Sequence, residues 1–316
     1  MKRNALESFL LAVALAAPMA SSGCSGCPNT PPAQTITAID DAGIASATDG
    51  GFLPTAYCAV TCPTSTTDCR EVFTDGGQPE LLCTQLVSCG GRRPVGWTEE
   101  SVDRVDAIEQ FFVRSAALEA ASVHAFRRLA DELRRHGAPD ELAQRAGASA
   151  AQEVVHARIV GEMARRYGAT PVAVRLPEAG ERTLLELAID NAIEGCVRET
   201  FGAAVAQWQA ATARDKRVRR AMRRIARDEA DHARLAWDLR AWMATRLTID
   251  ERTLVLAETQ RAVARLEAVV VSSSPPRALV DEVGLPTAAQ AASIVANGRR
   301  TVWNAKPGLV SATSPG

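Results

Sequence analysis

A short unit, Glu-x-x-His, occurs twice inside long helical patterns and constrains the fold of this chain more than any other feature. The first unit begins at Glu153 and ends at His156, and the second begins at Glu229 and ends at His232. Residues three apart lie on one face of a helix, so the carboxylate and imidazole of a unit can converge on one metal ion. One unit alone is weak evidence because both residue types are common in helices. Two units in matching helices predict a shared site.

Helical patterns cover about residues 98 to 248 and divide into four segments. The predicted helices span about 101–136, 140–167, 182–213 and 216–246. Gly137 and Gly168 are typical stops, and Asp140 and Asp215 are candidate caps. The loops within each helix pair are short, which predicts that the first two helices, and the last two, are antiparallel neighbours.

The connection between the two pairs is longer and contains prolines. Residues 169–181 show no helical period. Their extended reach is about 43 Å, and a helix of about 28 residues is about 42 Å long. This segment can therefore run back along the whole length of a bundle. The sequence predicts an all-α fold, namely a four-helix bundle with one long crossover.

The two predicted hairpins are internal copies of one another. Glu119 and Glu194 stand 75 residues apart, as do Phe126 and Phe201, and the two Glu-x-x-His units stand 76 apart. Each hairpin thus provides one mid-helix Glu and one Glu-x-x-His, and all of them fall near the middle of the bundle. Buried carboxylates are costly unless they are paired or bind metal. Mixed oxygen and nitrogen donors suit a pair of Fe or Mn ions.

This residue set resembles the ferritin-like superfamily, in its bacterioferritin and rubrerythrin pattern of Glu, Glu-x-x-His, Glu, Glu-x-x-His. The resemblance covers about residues 101–246 and implies a ferritin-like bundle that holds two Fe ions, with Mn as the alternative. The metal ligands that it implies are Glu119, Glu153, His156, Glu194, Glu229 and His232. In this pattern the Glu of each Glu-x-x-His bridges the ions and each His binds one. The chain differs from rubrerythrins in lacking paired C-x-x-C motifs, and Val197 stands where they carry a further carboxylate.

Four neighbouring residues are candidates for supporting the ligands. His124 follows Glu119 by five residues, and Glu199 follows Glu194 by five. In a regular helix this spacing points away from the site, and a π-bulge would swing Glu199 inward. Asp190 and Asp228 are candidates for orienting a ligating imidazole, with a solvated surface position as the alternative.

The N-terminus has the features of an export signal. A basic start precedes an apolar run from Phe9 to Ala17, followed by small residues. The favoured interpretation is a signal peptide over 1–23, with lipidation of Cys24 as in bacterial lipoproteins. Plain secretion and a buried N-terminal helix are the alternatives. Residues 24–57, rich in Ala, Thr, Ser, Gly and Pro, predict a flexible linker that would tether the protein to a membrane surface.

Cysteine usage supports an oxidising compartment. Seven of the eight cysteines lie between Cys24 and Cys89. Residues 58–97 therefore predict a disulfide-bonded segment, with zinc binding as the less favoured alternative. Additional helices are predicted over 249–300, and a loose tail over 301–316. The formal net charge of −1 gives no reason to expect nucleic acid as a partner.

The pattern predicts an exported dinuclear metal protein of the cell envelope that handles Fe(II), dioxygen or peroxide. Whether it is an enzyme stays open at this point. The alternatives are a surface iron-binding module without turnover and a metal-free structural envelope lipoprotein. The expected partners are the metal ions, dioxygen or peroxide, and a membrane through the lipid anchor. The terminal additions favour a monomer or dimer over a storage cage.

Overall fold

The computed structural model describes residues 2–16, 34–38, 66–73, 79–85, 91–94, 97, 106–171, 173–174, 176 and 180–304. The described part is mainly helical. Its main α-helices and its strands are α1 Lys2–Ala16, β1 Gln34–Ala38, β2 Thr66–Phe73, β3 Pro79–Gln85, α2 Ala107–Arg135, α3 Asp140–Arg166, α4 Leu184–Asp190, α5 Thr200–Thr212, α6 Lys216–Ala244, α7 Ile249–Ser272 and α8 Ala288–Gly298. Three π-helices complete it: Asn191–Glu199, Leu279–Val283 and Arg299–Trp303.

Helix boundaries follow capping chemistry. Asp106 caps α2 by accepting hydrogen bonds from the Ile108 and Glu109 amides. Asp215 caps α6, as predicted. The prediction that Asp140 caps α3 is wrong: Asp140 is the first helical residue, Pro139 holds the cap position, and the acid instead lies in the positively polarised first turn. The first predicted helix begins at Ala107 in the structure. Residues 101–105 lie outside the described part of the chain.

Four long helical segments pack together, which is compatible with a four-helix bundle. Helices α2 and α3 form one antiparallel pair, joined at Gly137, whose φ of 68° favours glycine. The continuous segment α4, π-helix Asn191–Glu199 and α5 forms the other pair with α6. Helices α3 and α6 pack directly against each other, and residues of both pairs contribute to two buried apolar clusters.

The connection between the pairs starts and finishes at opposite ends of α2 and α3. Its beginning lies at the C-terminus of α3, where the Tyr167 hydroxyl donates to Asp215 at 3.0 Å. Its end lies at the C-terminus of α2, where His136 contacts the Arg182 carbonyl at 2.9 Å. Arg182 also donates to the buried Glu132. The segment between therefore covers the length of the pair.

Further helices cover one side of this body. Helix α7 packs on α8 and on the π-helix Asn191–Glu199. Helix α1 packs on α5 and α6 through a buried apolar face that includes Leu6, Phe9 and Val13, and the Phe9 ring lies 6.2 Å from the Trp303 ring. This is the arrangement expected of a buried N-terminal helix. The export signal and the linker stay predictions.

Strands β1, β3 and β2 form an antiparallel sheet in that order, which the sequence analysis did not predict. Strand β1 lies within the predicted linker, and the β2–β3 register places Cys69 opposite Cys83. The lipidation site Cys24 and the tail from residue 305 lie outside the described residues, as do most of the cysteine-rich segment and its predicted disulfides. Within the described chain, every helix is too short or too polar to cross a membrane.

Candidate metal centre

Four ligand-type side chains converge in the middle of the helical body. They are Glu119 on α2, Glu153 and His156 on α3, and Glu229 on α6. All four are buried, and one donor atom from each lies within 4.8 Å of the others. The predicted register of the three helices therefore brings these residues to one level. This cluster could hold a metal ion.

The spacing around His156 matches the ligand shell of one ion. Its Nδ1 atom lies 3.6 Å from Glu119 Oε2, 3.4 Å from Glu153 Oε2 and 3.6 Å from Glu229 Oε1. Two donor atoms bound to one metal ion each lie about 2.1 Å from it. When the donor–metal–donor angle is a right or tetrahedral angle, the two donors are about 3.0–3.4 Å apart. The observed separations are close to these values and are too long for strong hydrogen bonds.

A second imidazole lies on the other side of Glu153. His232 Nδ1 is 3.2 Å from Glu153 Oε1 and 3.8 Å from Glu229 Oε1. Glu153 therefore presents one carboxylate oxygen to each histidine. The centroids of the two imidazole rings are 5.9 Å apart, and Phe126 covers His232 with its ring centroid at 4.8 Å. The Glu153 carboxylate therefore lies between the two imidazoles.

Many polar atoms at this level have no hydrogen-bond partner among the described residues. They are Glu119 Oε2, both Oε atoms of Glu153, Glu199 and Glu229, and the Nδ1 atoms of His156 and His232. Buried polar atoms are nearly always satisfied in folded proteins. A bound cation could satisfy those of Glu119, Glu153, His156 and Glu229 together, because their donor atoms lie within 4.8 Å of one another and each is a metal ligand of ordinary type.

The electrostatics agree with a site built for cations. Burial raises the pKa of the Glu119 carboxyl to about 8, and nearby Glu153 adds to the rise. Burial also raises the pKa of Glu229 well above its ordinary range. For His156, burial by itself lowers the pKa, but the facing Glu119 and Glu153 carboxylates outweigh it and raise the pKa to about 12. Without metal, these carboxylates would have to share protons.

The Nε2 atom of each histidine points away from the cluster. It contacts a residue on the helix that carries the other histidine. His156 Nε2 lies 3.1 Å from Asp228 Oδ2, and His232 Nε2 lies 2.9 Å from Gln152 Oε1. When each Nε2 donates to its acceptor, the Nδ1 lone pair faces the cluster. The predicted orienting role of Asp228 is thus matched by a direct contact. The sequence analysis missed Gln152, although it precedes Glu153 as Asp228 precedes Glu229.

The third helical segment departs from the simple repeat. Nine residues, Asn191–Glu199, form a π-helix. Glu199 at its end is 1% exposed, so the π-bulge does bring this side chain inward. Glu194 is less buried: its side chain is 13% exposed, and its Oε2 accepts from the Arg93 amide at 3.2 Å and faces Arg198 Nε at 3.6 Å.

An arginine missed by the sequence analysis lies beside the site. Arg92 is 2% exposed, and its guanidinium donates to Asp190 at 2.6 Å and to Asn191 at 3.3 Å. Its carbonyl accepts from Ser122 on α2. Residues 91–93 thus connect α2 with the π-helix segment. In the sequence, the only feature that indicates this contact is the neighbouring Gly91. Its φ is 70°, and its backbone lies close to Ser122.

Two of the predicted supporting residues contact no imidazole of the cluster in the described structure. Asp190 pairs with Arg92 and Arg182 instead. His124 is exposed to solvent on α2, unlike the buried ligand-type residues. A regular α-helix turns by about 100° per residue, so a side chain five positions after Glu119 lies on another face.

Comparisons with known proteins give no relative for this chain. No protein-family model matches the sequence, no curated protein matches it, and no solved structure matches it. The support for a metal centre is therefore the buried cluster of carboxylates and imidazoles itself.

Proposed function

We propose that this chain is a ferritin-like dinuclear metal protein, most simply a di-iron protein, that carries out redox chemistry on Fe(II), dioxygen or peroxide. The observation that carries the proposal is the position of Glu153. One of its carboxylate oxygens faces His156 at 3.4 Å and the other faces His232 at 3.2 Å. A carboxylate that faces two histidines in this way supports two metal positions rather than one.

The residues divide between these two positions. Glu119 and His156 belong to the first position, and His232 belongs to the second. Glu153 and Glu229 are shared, since Glu229 Oε1 lies within 3.8 Å of both imidazoles. Two Fe ions, or Mn ions in their place, suit this mixture of oxygen and nitrogen donors.

When bound, a pair of Fe ions supplies redox chemistry toward dioxygen or peroxide. The protein contributes a dry, prearranged ligand shell: the cluster carboxylates and imidazoles are nearly fully buried. Asp228 and Gln152 hold the two imidazoles with Nδ1 inward. The Phe126 ring covers His232 at 4.8 Å between centroids. These contacts would hold the side chains in place for metal.

The N-terminal pattern supports a place for this chemistry outside the cytoplasm. We propose that the chain is exported to the cell envelope, with Cys24 as the lipid attachment site and a membrane as partner. The sequence favours a monomer or dimer.

Metal analysis after anaerobic reconstitution with Fe(II) tests the proposal. We expect about two Fe per chain, and an absorption from oxo-bridged ferric ions after exposure to air. Repeated oxidation of added Fe(II) would identify an enzyme, and a single stoichiometric uptake would identify a binding module. Fewer than about 0.5 Fe or Mn per chain would refute the proposal. A Glu153→Ala, His156→Ala double variant is the negative control.

A further inference from the structure

We infer that Glu199, and not Glu194, supplies the third-helix carboxylate to the second metal position, together with His232. This inference rests on the proposed function, and it alters the ligand set that the Glu, Glu-x-x-His repeat implies. The carboxylate would come from the end of the π-helix, five residues beyond the position given by the repeat.

The first reason is the state of the Glu199 side chain. The residue is 1% exposed, and neither of its carboxylate oxygens has a hydrogen-bond partner among the described residues. The charged groups that act on it are Arg92 first, and then His232, Glu153 and Glu194. Arg92 gives it no hydrogen bond, His232 belongs to the second metal position, and Glu153 is shared by both positions. A buried carboxylate without partners is costly, so a cation at this position would explain why an acid is placed there.

The second reason is that Glu194 already has partners. Its Oε2 accepts the Arg93 amide hydrogen at 3.2 Å and lies 3.6 Å from Arg198 Nε. Its side chain also remains partly exposed, at 13%. The backbone donor and the guanidinium together compensate its charge. The Glu194 carboxylate is therefore compensated by protein groups, whereas the Glu199 carboxylate has no hydrogen-bond donor among the described residues.

The third reason is the local backbone. Asn191 on the π-helix donates to the Ala236 carbonyl at 2.9 Å, and a Cβ at Gly195 would lie 2.6 Å from Ala236 Cβ. The π-helix is therefore held tightly against α6 by a glycine and a side-chain amide. Wide turns of this kind re-aim side chains and are frequent at functional sites. Here the turn ends at Glu199, at the level of the cluster.

Charge balance supports the same assignment. Arg92 is the nearest buried cation, but its guanidinium donates to Asp190 and Asn191. Asp190 pairs with both Arg92 and Arg182, and Arg198 faces Glu194. Arg92 acts on Glu199 through its charge but donates no hydrogen bond to it. The carboxylates left for metal are Glu119, Glu153, Glu199 and Glu229, and their four negative charges equal the charge of two divalent ions. A centre completed in this way would be neutral, as burial requires.

Two isosteric variants test the inference. Wild type, Glu199→Gln and Glu194→Gln are equilibrated with Mn(II) by dialysis, and bound metal is measured by elemental analysis. We expect two Mn(II) per wild-type chain and two per Glu194→Gln chain at similar affinity. In Glu199→Gln the second Mn(II) should bind at least about ten-fold more weakly, while the first is retained.

The outcomes separate the inference from the proposed function. The inference alone is overturned if wild type and Glu199→Gln both bind two ions with the same affinity. It is also overturned if Glu194→Gln loses the second ion. A wild-type chain that binds no metal overturns both. An anomalous-scattering map of the wild-type Mn(II) complex gives the answer without any variant. It should place the Glu199 carboxylate within about 2.3 Å of one ion and Glu194 beyond that distance.

Discussion

Replacing Glu153 by Gln should stabilise the metal-free protein and abolish its response to metal. Both Glu153 oxygens are buried and lack hydrogen-bond partners in the described structure. A buried unsatisfied charge costs more than a buried unsatisfied neutral group, whose cost is about 1–3 kcal/mol. Gln is as buried as Glu, but it carries no charge and so removes this excess and the repulsion with Glu119. His156 loses little by the exchange, because it still faces Glu119, Glu229 and Asp228 within 3.6 Å. The metal-free variant should therefore be more stable by about 1–3 kcal/mol.

The assay is thermal or urea unfolding with EDTA and with Mn(II). For a domain of this size, about 1–3 kcal/mol corresponds to a rise in Tm of about 2–10 °C for the metal-free variant. Wild type should gain about 2.7 kcal/mol for each site at a free metal concentration of 100 Kd, and the variant should gain almost nothing. Glu162→Gln, which changes an exposed Glu on the same helix, is the matched control and should behave as wild type.

A metal-free Glu153→Gln variant that is less stable than wild type would refute this reasoning. That result would mean that the carboxylate stabilises the bundle directly, through hydrogen bonds or ion pairs. The cluster would then be a polar core rather than a metal site. A variant that keeps the full metal-dependent rise in Tm would refute the bridging position of Glu153.

Three other perturbations test separate parts of the structure. Asp228→Asn should weaken metal binding at the His156 position by about 10–100-fold while leaving the fold intact, as isothermal titration with Mn(II) would show. Gly195→Ala should cost about 1–3 kcal/mol in urea unfolding, because its Cβ would lie 2.6 Å from a side chain of α6. Burial alone would raise the pKa of Glu132, but Arg182 and a second arginine lower it below 4.5. The ionised Glu132 carboxylate should therefore contribute its full stabilisation above pH 4.5, and this stabilisation should be lost as the pH falls through the lowered pKa. The unfolding free energy of Glu132→Gln should not show this loss.

Local sequence signals were enough to place the helices. Gly137 and Gly168 end α2 and α3, and Asp215 caps α6, because these signals act within one helical turn. The start of α2 at Ala107 differs from the predicted 101, since Asp106 is the cap that accepts backbone hydrogen bonds.

The pair of Glu-x-x-His units also identified the core of the candidate site. Glu153, His156 and Glu229 meet at one level together with Glu119 because their distances from the turns are similar. That relation depends only on helical rise and loop length, both of which can be estimated from sequence. The buried cluster therefore follows from periodic patterns and requires no long-range information.

Tertiary structure alone decided the surroundings of the two third-helix acids. A repeat of 75 residues points to Glu194, whereas Glu199 at the end of the π-helix is the more deeply buried acid and Glu194 lies against the Arg93 amide and Arg198. The π-helix depends on Gly195 and Asn191 packing against α6, and Arg92 reaches the site from a segment outside the helices. Contacts of this kind join residues about 40 to 100 positions apart, so no local pattern records them. The sequence determined the helices and the level at which Glu119, Glu153, His156 and Glu229 meet, and packing between helices determined how deeply Glu194 and Glu199 are buried.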